Sequence, residues 1–299
     1  MKPAVARSSL RREASLIDGE FAFTQDDYRQ IADIAYNDAG IDLGDSKASL
    51  VYSRLAKRLR TLQLESFRNY CALLSRDEGR EERQQMVAAL TTNVTRFFRE
   101  PHHFEHLRTQ VLPSLVKSVR AGKPMRIWSA ACSSGEEPYS IALSILAAMP
   151  DAASHNVRVL ATDIDPNVLH KGDTGIYSDS AMASVPKEAR HRWFSPTTDA
   201  TGNRAWSAGP ELRKIVTFKK LNLIGQWPMR GPFDAIFCRN ALIYFKEDTQ
   251  VDIWCRFVPL LAPGAYLYIG HSERLFGEAA PYYVNEAITT YRLAEAATP

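Results

Sequence analysis

Two adjacent carboxylates, Glu136 and Glu137, follow Gly135 in the run Arg126-Ile-Trp-Ser-Ala-Ala-Cys-Ser-Ser-Gly-Glu-Glu-Pro-Tyr-Ser140, which reads as a strand, a loop of small residues and a helix. The small residues from Ala130 to Gly135 leave room for a ligand to approach the backbone, and Gly135 can adopt dihedrals closed to other residues. The helix that follows offers unpaired amides, but the two acids stand where a phosphate would meet them. A cationic or hydroxyl-rich ligand is favoured there instead. Asp163 closes the apolar run Val157-Arg-Val-Leu-Ala-Thr162, the place of the acidic residue that hydrogen-bonds a ribose in Rossmann-like sites. Gly135, Glu136 and Asp163 together imply an adenosine-containing ligand, and a sulfonium suits the acidic pocket better than a pyrophosphate, which points to S-adenosylmethionine. The plainer alternatives are an ordinary βα turn with acids favouring the helix dipole, and a lone turn aspartate. A dinucleotide or P-loop site is disfavoured, because neither G-x-G-x-x-G nor the P-loop Lys-Ser/Thr is present in this run.

Three further groups could do chemistry. In Thr91-Thr-Asn-Val-Thr-Arg-Phe-Phe-Arg-Glu-Pro101, the polar Asn93, Thr95 and Arg99 alternate with Val94 and Phe97/Phe98. One side can pack while the other donates hydrogen bonds, as a lid over a cofactor would, although a helix cap and linker would read alike. His102 and His106 share a helix face, with His103 between them. The spacing is not H-E-x-x-H and no third ligand is evident, so no metal is expected. Arg54, Lys57, Arg58 and Arg60 make a basic stripe with no acid until Glu65, which suggests an acidic partner or else a solvated face. Cys71, Cys132, Cys238 and Cys255 form no C-x-x-C pair and read as buried, reduced thiols.

These groups need elements to position them. Residues 1–20 carry Arg7, Arg11 and Arg12 with no burying period and read as a flexible tail. Residues 21–90 read as an all-helical domain. Thr24-Gln-Asp-Asp27 resembles a capping box, and Tyr28, Ile31 and Ala35 follow at helical spacing until Gly40. A second helix, from about Lys47 to Leu62, carries the apolar stripe Val51, Leu55, Leu59 and Leu62. Helices are also expected near 66–75 and 80–90. Residues 91–124 form a linker and lid helix. From Met125 onward strands and helices alternate, implying a mainly parallel sheet in a catalytic domain over 125–299. Strands over Val157–Thr162, Phe233–Cys238 and Ala265–Ile269 end at Asp163, at Arg239-Asn240 and at Gly270-His271-Ser272, and ligand contacts collect at such ends. A Gly-, Pro- and Trp-rich stretch, about 190–213, is too long for an ordinary loop and reads as an inserted subdomain of short strands.

The whole chain has 299 residues and a formal charge of +3. That charge is too small to imply nucleic acid, and the basic helix has only Tyr52 nearby for base stacking. No apolar run approaches the roughly 20 residues that span a bilayer, and no signal segment opens the chain. A cytoplasmic protein is expected.

Taken together, TTNVTRFFRE, SAACSSGEEPYSIA, ATDIDPNVL, Leu221-Asn-Leu223, FDAIFCRNALIYF and YIGHSE resemble the CheR-type methyltransferases that act on bacterial chemotaxis receptors, over roughly residues 21–293. The resemblance implies an α/β, Rossmann-like S-adenosylmethionine-dependent methyltransferase domain with an N-terminal all-helical domain and a small inserted β-subdomain. It implies methyl transfer from S-adenosylmethionine to glutamates on cytoplasmic receptor helices, giving methyl esters and S-adenosylhomocysteine. By motif position the cofactor contacts would be Asn93, Thr95, Arg99, Glu136, Asp163, Asn222, Leu223, Arg239 and Asn240, with Glu137 a possible substitute for Glu136. Arg54, Lys57, Arg58 and Arg60 would meet the receptor. A glutamate, with an ordinary pKa of about 4.3, is already ionised at neutral pH, so positioning does most of the catalysis. Arg99 and Tyr244 are the candidates for orienting that carboxylate. The protein is expected to be a monomer without metal, nucleic acid or membrane insertion. A methyltransferase for another acceptor and a non-catalytic cofactor-binding regulator are the rival readings.

Overall fold

The structure, a computed structural model, describes residues 15–295. Two compact units emerge: one runs to Asp38 and resumes over Asp42–Leu90, and the other takes Ala39–Ile41 and the chain from Thr91 on.

The first unit is helical, with α1 (Gln25–Ala39), α2 (Ala48–Thr61), α3 (Phe67–Leu74) and α4 (Arg80–Leu90). Its first helix starts where the capping pattern places it. The Asp27 carboxylate accepts from the Thr24 amide (2.9 Å) and hydroxyl (2.7 Å), and the Asp27 amide donates back to the Thr24 hydroxyl (3.2 Å). Tyr28, Ile31 and Ala35 are buried beneath it, as are Val51, Leu55 and Leu59 of α2. The expected flexible tail falls mostly on residues 1–14, outside the described residues, but its last part is tied down. The Leu16 amide donates to the Phe23 carbonyl (2.7 Å), and Glu20 pairs with Arg60 (2.7 Å).

The second unit opens with α5 (Pro101–His106), which runs through a π-turn at Leu107–Val111 into α6 (Leu112–Arg120). There follow β1 (Met125–Ala130), α7 (Glu136–Ala148), β2 (Val157–Asp163), α8 (Pro166–Thr174), β3 (Ile176–Ser178), α9 (Lys187–Trp193), β4 (Phe194–Thr198), β5 (Arg204–Ala208), α10 (Pro210–Ile215), β6 (Val216–Lys220), β7 (Phe233–Cys238), α11 (Glu247–Phe257), β8 (Leu261–Ile269), β9 (Tyr283–Ala287) and β10 (Thr290–Leu293). The main sheet has the order β6-β2-β1-β7-β8-β10-β9. Its first five strands pair in parallel, and β10 and β9 close it antiparallel. Strand periodicity sorts residues to the two faces. Ile127, Val159 and Phe237 join a cluster with α7 residues such as Ile141 and Ile145, whereas Trp128, Ile236 and Leu267 join one with Ile253, Trp254 and Phe257 of α11. Both faces are covered by helices, which is why these strands read as nearly continuous apolar runs.

The inserted subdomain is a three-stranded antiparallel sheet, β3-β5-β4. It begins at Ile176 rather than near 190, and the residues from Pro210 belong to α10. In β3 only Tyr177 is buried, too short a stretch to carry a strand period. Three of the cysteines are buried as expected, whereas Cys255 is partly exposed.

Candidate active site

The parallel strands end side by side. Ala130 of β1 registers with Thr162 of β2 and with Cys238 of β7, and Cys238 registers with Ile269 of β8. Beyond β1 the chain turns through left-handed backbone at Ala131 (φ 61°), Ser133 (φ 48°) and Gly135 (φ 95°), a conformation that costs a residue with a side chain of order 1 kcal/mol. Asp163 clasps this loop: its carboxylate accepts from the Ser133 amide (2.8 Å) and the Asp165 amide (3.0 Å). Burial pushes the Asp163 carboxyl upward, and these amides pull it back. Packing as well as backbone calls for glycine at 135, since a Cβ there would lie 2.7 Å from the Tyr177 hydroxyl and 2.9 Å from the Gly172 Cα. Glu136 is buried at the start of α7 and accepts from the Ser134 hydroxyl (2.7 Å).

Asn93 lies across the ends of β1 and β2. Its side-chain amide donates to Asp165 (2.9 Å), and its carbonyl accepts from the Ser133 hydroxyl (3.0 Å). Thr95 is half-buried nearby in the chain, and Arg99 donates to the Val94 carbonyl (2.9 Å). This segment is an anchored strap. Phe97 is fully buried, edge-on to Tyr177 at 4.9 Å, and the Phe98 amide donates to the Ser140 hydroxyl (2.9 Å). Phe98 packs edge-on to Phe104 at 5.2 Å, and the backbone is left-handed at Phe98 and Glu100.

Arg239, at the end of β7, is the cationic centre of a buried cluster. Its guanidinium donates to Glu137 (3.0 Å) and the Arg99 carbonyl and pairs with Glu100 (3.1 Å). Glu137 also accepts from the Ser129 hydroxyl (2.6 Å), so both of its oxygens are engaged within the protein. Glu136 differs in making its hydrogen bond, to Ser134, through one oxygen. Burial pushes the Glu100 carboxyl upward, but Arg239 and His271 outweigh it and hold the group at about 2. The same cluster holds His103, whose Nδ1 lies 3.5 Å from Glu100 and whose Nε2 lies 2.8 Å from the Thr289 hydroxyl. Burial, then Arg239, pushes this imidazole down to about 3. Glu100, His102 and His103 bring possible ligand atoms within 4.8 Å of one another, whereas His106, the expected companion of His102, hydrogen-bonds the Tyr268 hydroxyl (3.0 Å). The Arg239 guanidinium already occupies that carboxylate, and its charge opposes a metal ion there.

The remaining candidates divide. The Leu221 amide donates to the Asp163 carbonyl (2.9 Å), bringing 221–223 alongside the end of β2. Asn222 accepts from the Ile224 amide (3.2 Å). The Leu223 side chain is buried in the core, and its carbonyl accepts from Arg256 (2.8 Å). Asn240 has left-handed backbone (φ 57°), and its side-chain amide donates to Glu100 (3.3 Å). Tyr244 is half-buried on the short turn Leu242–Tyr244, and among the described residues no hydrogen bond links it to Arg99. Glu100 and Asp165 were missed as site residues although each stands within a quoted motif, and Glu137 was offered only as a substitute for Glu136. An acid that will be buried opposite a distant arginine has no mark in the local sequence.

As a donor set, the strand ends present Glu136, Asp163, Asp165, Asn93 and Asn240. Carboxylates and amides suit hydroxyls and a cation and oppose a phosphate, so these residues fit S-adenosylmethionine.

Within the helical unit the basic residues of α2 are unlike one another. Arg58 makes a two-pronged pair with the buried Glu82 (2.9 Å and 2.5 Å), which also accepts from the Tyr70 hydroxyl (2.8 Å). Arg54 donates to the Leu90 carbonyl. Arg60 pairs with Glu20 at the surface, and Lys57 is exposed. Two of the four, Arg58 and Arg60, thus pair with acids remote in sequence.

Known proteins match this chain along most of its length. Residues 93–291 match the family described as CheR methyltransferase, SAM binding domain, and residues 26–91 match CheR methyltransferase, all-alpha domain. A probable chemotaxis protein methyltransferase of Rhizobium etli is 52% identical over 257 residues, covering 86% of this chain and 96% of that protein. Chemotaxis protein methyltransferase 2 of Pseudomonas aeruginosa is 42% identical over 255 residues, 85% of this chain and 88% of its own. The chemotaxis protein methyltransferase of Escherichia coli is 40% identical over 269 residues, 90% and 91% of the two chains. With both of its units matched in order and the acidic cradle formed at the strand ends, the chain belongs to the CheR methyltransferase family.

Proposed function

We propose that this protein methylates glutamate side chains on the cytoplasmic helices of chemoreceptors, producing glutamate methyl esters for sensory adaptation. The observation that carries the reading is the acidic and amide-lined cradle formed by Glu136, Asp163, Asn93 and Asn240, on a chain matched to the CheR family along both units. S-adenosylmethionine supplies an electrophilic methyl group on a sulfonium. Asp163 and Glu136 accept from its hydroxyls and offset its charge, while Asn93, Thr95, Arg99 and the 222–223 segment border it. The Arg239 side chain is taken by Glu137 and Glu100, so Arg239 contributes backbone to the pocket while its guanidinium holds the pocket's frame.

The acceptor carboxylate is ionised at neutral pH, with an ordinary pKa of about 4.3, and calls for neither a base nor a metal. What the protein must supply is an in-line approach, with reacting atoms roughly 3–3.5 Å apart. Arg99 and Tyr244 orient that carboxylate, Arg99 weakly enough to leave the attacking oxygen nucleophilic. Lys57 and Arg60, with Arg54 and Arg58 behind them, give α2 the charge to attract an acidic receptor helix. No helix among the described residues is long and apolar enough to cross a membrane, and the reading places the protein in the cytoplasm as a monomer.

The test is incubation with methyl-labelled S-adenosylmethionine and membranes carrying the host's chemoreceptors, followed by release of base-labile label as methanol. Label in receptor bands is the expected result. Cofactor binding without label in any receptor would reassign the acceptor or the activity itself.

A further inference from the structure

The motif Tyr268-Ile-Gly-His-Ser-Glu273, at the end of β8, enters the site described so far only through His271, which faces Glu100, yet it also holds a buried carboxylate against that site. Glu273 is 6% exposed and accepts four backbone amides. One oxygen takes those of Ala241 (3.0 Å) and Leu242 (2.8 Å), and the other takes those of Asn240 (2.9 Å) and Gly270 (2.6 Å). Three consecutive amides converging on one anion form a nest, and charge-assisted bonds of this kind are the strong ones. The Glu273 amide donates to the Gly270 carbonyl (2.9 Å), closing the turn that aims the carboxylate. Gly270 is part of the same device. A Cβ there would lie 2.3 Å from the Asn240 Nδ2 and 2.7 Å from its backbone nitrogen, so only glycine lets Asn240 sit against β8.

We propose that Glu273 is a positioning residue for the methyl-donor pocket, acting with Gly270 to hold Asn240 in its left-handed conformation with its side-chain amide fixed at the strand ends. The inference rests on the assignment of Asn240 to the cofactor. It is chemically economical: Asn240, Ala241 and Leu242 follow β7 with their amides turned to one point, and without an acceptor those amides would be buried and unpaired, at a cost that favours other loop conformations. A carboxylate supplied by the neighbouring strand's end satisfies all three together and couples the ends of β7 and β8.

The experiment compares Glu273→Gln, Gly270→Ala and Asn240→Ala in the full-length protein. Affinity for S-adenosylhomocysteine is measured by calorimetry, KM for each substrate and kcat by methyl transfer, and Tm by thermal unfolding. Glu273→Gln keeps a cooperative transition but replaces one acceptor oxygen with a donor, so product affinity is expected to fall by about tenfold or more. KM for S-adenosylmethionine should rise in parallel, KM for the receptor should stay unchanged, and kcat at saturation should stay within about threefold. Asn240→Ala should show the same pattern. If Asn240→Ala weakens binding while folded Glu273→Gln binds normally, Glu273 only braces the fold and the proposal is overturned. If Asn240→Ala itself binds normally, the cofactor assignment fails and takes the proposal with it. Should Glu273→Gln not fold, Gly270→Ala decides, since it leaves the carboxylate intact: a tenfold loss of affinity supports the positioning role and wild-type affinity overturns it.

Discussion

His103 is fully buried 3.5 Å from Glu100, and Arg239 faces both. At neutral pH the folded protein therefore holds His103 neutral and Glu100 ionised. In the unfolded chain a histidine takes up its proton near 6.5, whereas folded His103 resists to about 3. Below pH 6.5 the unfolded state binds the extra proton, so stability falls as pH drops. Glu100, with an ordinary value of 4.5 and a folded value of about 2, contributes stability that is present above 4.5 and is lost as pH falls toward 2. The two effects begin in different windows. Replacing His103 with Gln should flatten the loss of stability between pH 6.5 and 5, read as the urea midpoint at each pH against the wild type. An unchanged slope would mean that His103 is protonated in the folded state. Among these residues, Asp163 and Asn93 were legible from their motifs, but Glu100 was not, because its neighbours Arg239 and His271 stand far away in sequence.

At the scale of elements, α2 shows how a basic stripe can conceal two kinds of residue. Arg58 satisfies buried Glu82, and its loss would strand a carboxylate that Tyr70 alone cannot satisfy. Arg58→Ala is expected to destabilise the helical unit by about 2–3 kcal/mol, lowering the urea midpoint and lowering activity only indirectly. Exchanging the exposed Lys57 for Glu should leave that midpoint unchanged, weaken receptor methylation and reduce its salt sensitivity. The opposite ranking would place the receptor contact on Arg58. Helical periodicity marked the stripe and its apolar back, since Val51, Leu55 and Leu59 repeat at the helical period. Periodicity cannot tell an arginine that faces a glutamate from one that faces water. The short strand β3 was equally hidden, for three residues hold no period.

For the molecule as a whole, one unit carries the strand ends and so the predicted cofactor site. Ligand that binds only the folded state stabilises by mass action, about 2.7 kcal/mol at a hundredfold excess over Kd. S-adenosylhomocysteine should raise the melting temperature accordingly, whereas a nucleoside triphosphate at the same concentration should not, because Glu136 and Asp163 oppose its phosphates. A comparable rise with the triphosphate would mean that the acidic residues do not line the ligand site.

The sequence by itself determined the order of the elements, the helical unit ahead of an α/β unit, and the strand ends at Asp163 and at Arg239-Asn240. Those features are written in local patterns: a capping box, apolar runs bounded by turns, and small residues before an acidic helix start. Only the tertiary structure decided which of two adjacent, buried acids pairs with Arg239, that the strap at 91–100 is anchored, that Arg58 belongs to Glu82, and that Glu273 gathers the amides beyond β7. Each of these depends on a partner brought from far along the chain by sheet order and helix packing, and buried charges and amides must find partners wherever the fold supplies them.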